Sequence, residues 1–136
     1  MSPQMLILPM AAHVAWATFL YAALTLVRAP TAWGIGARAD GTNPWAEIEP
    51  RISANLKNQF EWPLLFYAVC LLQLILQSDV PSIQVWLAWV FIAGRLLHGA
   101  VQILTANIRL RGVVFTINFA AVLGMWLSVL LRLPGS

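Results

Sequence analysis

Apolar residues in this chain gather into four long runs separated by three polar connections, and two of the runs carry polar residues at helical spacing. The first run, Met5 to Val27, makes a helix of about 35 Å at 1.5 Å per residue, enough to cross a hydrocarbon core of about 30 Å. Residues 29–49 hold Pro30, Gly34, Gly36, Gly41 and Asn43-Pro44, so they read as a loop with one short helical turn near Trp45. Pro50 suits the first turn of a second helix, where its missing N–H is not needed. Pro63 lies inside that helix and removes the donor for the Gln59 carbonyl, which predicts a kink just beyond the polar segment. With a turn at Ser78–Pro81, the pattern predicts helices over about 5–28, 50–77, 82–107 and 112–131 in a single domain, 1–136.

The polar interruptions follow the helical period. At 100° per residue Arg51, Asn55, Asn58 and Glu61 share an arc of about 120° on the second helix, and Arg95, His98 and Gln102 share about 60° on the third. An ionisable side chain at membrane depth costs about 2.5–3.5 kcal/mol on insertion scales, so it is kept with a partner or a function. The depths of Glu61 and Arg95 along their helices predict a buried ion pair between them, supported by Asn58 and His98. Lys57 is four residues before Glu61, within reach of a local pair. His13, alone in the first run, reads as a packing histidine.

Composition agrees with the pattern. Sixty per cent of residues are hydrophobic and 10% charged, against about 45–50% and 25% in soluble domains, so the chain is expected to be an all-α integral membrane protein, a four-helix bundle. The net charge of +3 does not indicate nucleic-acid binding, because the basic residues are scattered singly. Arg28, Arg38, Arg51, Lys57, Arg109 and Arg111 lie near the first and third connections and only Arg132 at the other end, so the positive-inside rule puts loops 29–49 and 107–112 in the cytoplasm and both termini opposite. Trp86 and Trp126 read as interfacial anchors. The single cysteine, Cys70, sits in an apolar run as a small buried hydrophobe, and no Cys/His spacing suits a metal. The first run is too long, and lacks the basic start, for a cleaved signal.

Arg109 and Arg111 stand at the mouth of the third and fourth helices. They can anchor topology or form an anion site, since an arginine beside a thiol favours the thiolate.

Three segments resemble the MAPEG family, membrane-associated proteins in eicosanoid and glutathione metabolism, and within it the microsomal glutathione transferases. They are Arg51-Ile-Ser-Ala-Asn-Leu-Lys-Asn-Gln-Phe-Glu61 followed by Pro63 and Phe66, then Arg95-Leu-Leu-His98, then Arg111-Gly-Val-Val-Phe-Thr. The resemblance implies a homotrimer with glutathione bound near the cytoplasmic face between neighbouring subunits. Lys57, Asn58, Glu61, His98 and Arg111 stand where the family places glutathione contacts, and Arg28 matches a contact at the end of the first helix. Arg51, Asn55, Arg95, Gln102 and Arg109 complete the candidate ligand-binding set. Arg111 would be the catalytic residue, stabilising the thiolate for attack on a lipophilic electrophile or peroxide arriving from the bilayer. The chain departs from the family pattern at Gln102, where glutathione-using members often carry tyrosine, at Ala54, where some carry arginine, and at Lys57, which replaces an arginine.

The expected function is thus a glutathione-dependent transferase or peroxidase. The alternative is a bundle of the same fold that binds lipid or another small anion without glutathione chemistry. A small four-span multidrug transporter fits poorly, because that family centres on a glutamate in the first span and none occurs there.

Overall fold

A computed structural model of the chain, describing residues 1–133 and 135, is built of helices, and among the described residues there is no strand. A single 3-10 turn, Pro3–Leu6, leads into α1 (Ile7–Trp33), followed by α2 (Glu49–Asn58), α3 (Pro63–Leu76), α4 (Ser82–Leu104) and α5 (Ile108–Leu130). Among the described residues four helical spans are long and apolar enough to cross a membrane, with α2 and α3 forming one of them end to end. Helices suit a bilayer because each satisfies its backbone groups internally.

Helix α1 runs further than its sequence predicts. Pro30 removes one backbone donor, and Asn43 folds back to donate from Nδ2 to the neighbouring Val27 carbonyl at 2.9 Å and to Thr31 Oγ1 at 3.0 Å. The helix ends only at Gly34, whose φ of 72° is the left-handed cap that glycine adopts without strain. The loop then turns at Trp45, whose carbonyl accepts from Ile48 and Glu49.

The predicted kink is a full break. Residues Gln59–Trp62 form turns between α2 and α3, with Pro63 opening the second helix. The connection between α4 and α5 is short, Thr105–Asn107. Asn107 caps α5 by accepting from the Leu110 N–H at 3.0 Å, so Arg109 and Arg111 belong to the first helical turns rather than to a loop over 107–112.

Helices α4 and α5 pack most extensively. The main core gathers Leu6, Phe66, Val69, Cys70, Phe91 and Met125, with the Phe66 and Phe91 rings stacked at 4.3 Å. A second cluster, Leu20, Leu24, Ile52 and Leu56, joins α1 to α2. Large apolar side chains such as Leu26 (71% exposed) and Ile75 (77%) face outward, as lipid-facing positions do. Trp86 is exposed, whereas Trp126 lies against α3 and donates from its indole to the Leu65 carbonyl at 3.1 Å.

Candidate functional site

At the end of the bundle that carries Arg51, Arg109 and Arg111, α2, α4 and the start of α5 enclose two adjoining clefts. One, of about 440 Å³, is lined by Asn58, His98, Gln102, Arg111 and Phe115 among others. The second, of about 330 Å³, is lined by Arg51, Ala54, Gln102, Asn107 and Arg111. Gln102 and Arg111 border both, and no acidic residue lines either. Each volume lies within the range of about 300–1,000 Å³ usual for small-molecule sites.

Arg111 sits near the N-terminus of α5, where the free N–H groups and the macrodipole already make the potential positive. A second cation nearby, Arg109, adds to it, and acidic residues are absent from the helix's first turn. Such an arrangement attracts anions. His98, only 3% exposed, lines the larger cleft with its ring edge-on to Phe115 at 5.9 Å, and its Nδ1 lacks a partner among the described residues. Arg51 is half-buried and donates from Nη1 to the Ile103 carbonyl at 3.4 Å, a favourable place for a cation at the C-terminus of α4.

Behind the clefts a continuous network of buried polar side chains links the spans. Asn55 and Asn58 donate from Nδ2 to Gln102 Oε1 at 2.9 and 3.2 Å. Gln59 donates from Nε2 to both the backbone carbonyl and Oδ1 of Asn55, each at 3.0 Å. Gln59 Oε1 lies 2.9 Å from His13 Nε2 and accepts from Arg95 Nε at 3.3 Å. His13 Nδ1 is 2.7 Å from the Tyr67 hydroxyl. Burial without partners would cost each of these groups free energy, and the network offsets that cost. Arg95 remains the exception: it is 1% exposed, and neither Nη1 nor Nη2 has a partner among the described residues.

The predicted Glu61–Arg95 ion pair does not form. Glu61 is exposed, and no ion pair joins it to Arg95 or Lys57 among the described residues. The reason is the break at Gln59–Trp62. A progression of 100° per residue holds to Asn58 and fails beyond it, so Glu61 leaves the inward face and Gln59 reaches Arg95 instead.

The remaining candidates divide. Arg51, Asn58, His98, Gln102 and Arg111 meet at the clefts, while Asn55 and Arg95 lie behind them in the network. Lys57 and Arg109 are exposed and line neither cleft. Arg28 is turned to α2, pairing through Nε with Glu49 at 2.7 Å and donating to Ser53 at 3.3 Å, beside a separate hollow of about 380 Å³. Sequence reasoning missed Gln59, Tyr67 and the buried Asn118. For Gln59 a signal existed: it stands four residues after Asn55, within helical reach of its carbonyl.

The MAPEG family model matches residues 6–131, nearly the whole chain. No curated protein and no solved structure matches it.

Proposed function

The chain belongs to the MAPEG family, a family of membrane helix bundles that includes glutathione transferases and peroxidases, and on that premise we propose that it uses glutathione against lipophilic electrophiles or peroxides. The observation that carries this reading is the donor-lined cleft at Arg111. A cavity of about 440 Å³ without acidic lining, at the positive end of a helix, with a buried His98 whose Nδ1 has no partner among the described residues, suits a small anionic thiol.

In this reading Arg111 holds the sulfur as thiolate by charge and hydrogen bonding, since the thiolate is the nucleophile. The thiolate attacks the electrophilic atom of the second substrate, forming a sulfur bond as the leaving group departs with its electron pair. Arg51, Asn58, His98 and Gln102 bind and orient the peptide portion, and Asn55 and Arg95 support them from behind. Arg109 adds positive potential at the entrance, whereas Arg28 is neutralised by Glu49 beside its own hollow. Lys57 and Glu61 are exposed on a span otherwise suited to lipid, where an uncovered charge is costly. That favours a homotrimer in which a neighbouring subunit covers them and they complete its site. The basic end faces the cytoplasm by the positive-inside rule.

A competing reading, binding of a lipid or other small anion without thiol chemistry, draws on an apolar cavity of about 280 Å³ between α1 and α4, lined by Trp16, Phe19, Ile103 and Leu104 among others. One experiment separates them. Glutathione is titrated into detergent-purified protein, and the ultraviolet difference absorbance of bound thiolate is recorded for wild type and Arg111→Ala. A thiolate band that disappears in the variant supports the enzyme. Binding without a thiolate band, or no binding at physiological glutathione, refutes it.

A further inference from the structure

The direction of the buried hydrogen bonds can be traced from one end of the network to the other. A guanidinium can only donate, and a backbone carbonyl can only accept. Gln59 touches one of each: Arg95 Nε on its oxygen side and the Asn55 carbonyl on its nitrogen side. Its amide therefore has one orientation. Because Gln59 Nε2 also donates to Asn55 Oδ1 at 3.0 Å, that oxygen is fixed as the acceptor and Asn55 Nδ2 is turned to Gln102. The Gln102 atom that meets it, 2.9 Å away, is then the oxygen, and Asn58 Nδ2 adds a second donor to the same oxygen. Gln102 Nε2 is left on the other side of the amide, with no partner among the described residues, on a side chain that is 9% exposed and borders both clefts.

We propose that Gln102 is a specificity-determining donor: buried Arg95 sets its amide polarity through Gln59 and Asn55, so that the cleft accepts an acceptor group at that point and rejects a donor. The inference rests on the glutathione reading above and refines it, assigning Gln102 to a carboxylate or the thiolate of the peptide. An amide N–H holds such a group without transferring a proton to it, so Gln102 contributes binding and orientation, while stabilisation of the thiolate falls to Arg111.

The consequence for substitution is specific. Gln102→Glu keeps an oxygen facing Asn55 and Asn58, so the helix contacts survive, but it presents a second oxygen to the ligand. Gln102→Leu removes the donor together with the oxygen that accepts from Asn55 and Asn58, so its loss is read beside that of Asn55→Asp, which keeps the amide. Asn55→Asp changes the polarity at a distance: both of its oxygens accept, so Gln102 turns Nε2 inward and presents Oε1 to the cleft, and the half-buried Asn58 amide turns to offer its oxygen in place of Nδ2. A hydrogen bond to a charged group contributes about 1.5–3 kcal/mol, so losing this one weakens binding about tenfold or more.

The test is glutathione affinity in detergent for wild type, these three variants and Arg111→Ala, together with the water-exchange rate of the Gln102 side-chain amide protons by nitrogen-15 NMR. Expected are fast exchange in wild type, protection in Asn55→Asp, about tenfold weaker binding in Gln102→Leu and Asn55→Asp, and a larger loss in Gln102→Glu. S-methylglutathione separates the two acceptors: a Leu penalty that persists with it assigns the carboxylate, and one that vanishes assigns the thiolate. Wild-type affinity in Gln102→Leu, with Arg111→Ala still defective, overturns this inference and leaves the enzyme reading intact. Protected amide protons in wild type overturn it whether or not glutathione binds, and failure of the wild-type protein to bind glutathione overturns both readings.

Discussion

Two buried glutamines on the same span should respond oppositely to the same substitution. Gln59 makes four side-chain hydrogen bonds, to His13, to Arg95 and twice to Asn55. Gln73 makes one, to the Val69 carbonyl four residues back at 3.3 Å, and its Oε1 is buried without a partner among the described residues. At about 0.6 kcal/mol per interhelical bond in a membrane bundle, the two bonds to His13 and Arg95 come to about 1 kcal/mol, and the loss in Gln59→Leu rises to about 2–5 kcal/mol because Arg95 is left buried without its acceptor. Gln73→Leu removes an orphaned polar atom and surrenders little, so it is expected to be neutral or stabilising by up to about 1 kcal/mol. Both changes leave similar volumes. The assay is reversible unfolding of each purified variant by sodium dodecyl sulfate in mixed micelles, followed by circular dichroism. A stability loss of about 2–5 kcal/mol for Gln59→Leu beside no loss for Gln73→Leu is the expected result. Equal losses for the two variants would refute the reasoning, because buried amides would then count by burial and not by partners.

Two further outcomes follow from geometry. Helices α1 and α4 approach at Gly99, where an added Cβ would lie 2.4 Å from Trp16 Cζ2, so Gly99→Ala should destabilise by about 1–3 kcal/mol in the same assay, and Trp16→Leu in that background should recover most of it. Outside the spans, hydrogen bonds from the Thr42 side chain and backbone hold the exposed Asp40 carboxyl below its usual value of 3.8. A depressed carboxylate pKa gives stability that is present above the ordinary range and lost as pH falls through the lower folded value. Thr42→Val should therefore raise the Asp40 midpoint in a carbon-13 NMR titration, and an unchanged midpoint would show the side-chain bond to be ineffective.

Local signals made much of the chain legible. Four apolar runs of membrane length and Pro50 at a helix start act over a few residues, because a helix is closed by bonds four residues apart and must satisfy its own backbone in lipid, whereas Pro63, read as a kink inside one helix, opens α3, and Asn107, read as the end of the third helix, caps α5. The polar stripe Arg95, His98, Gln102 was equally readable, since α4 is unbroken and one period carries it from end to end. Arg111 and its neighbours could be placed at one end of the bundle by the same reasoning. What only the tertiary structure decided lies beyond the break at Gln59–Trp62. Periodicity cannot pass through a turn whose angle depends on packing against α4 and α5, so Glu61 went outward and Gln59 inward to Arg95. His13 and Tyr67 joined the same network from spans that share no sequence pattern. Hydrogen-bond partners across helices are chosen by where rigid cylinders come to rest, and that position is set by core side chains such as Phe66 and Phe91, whose stacked rings join α3 to α4.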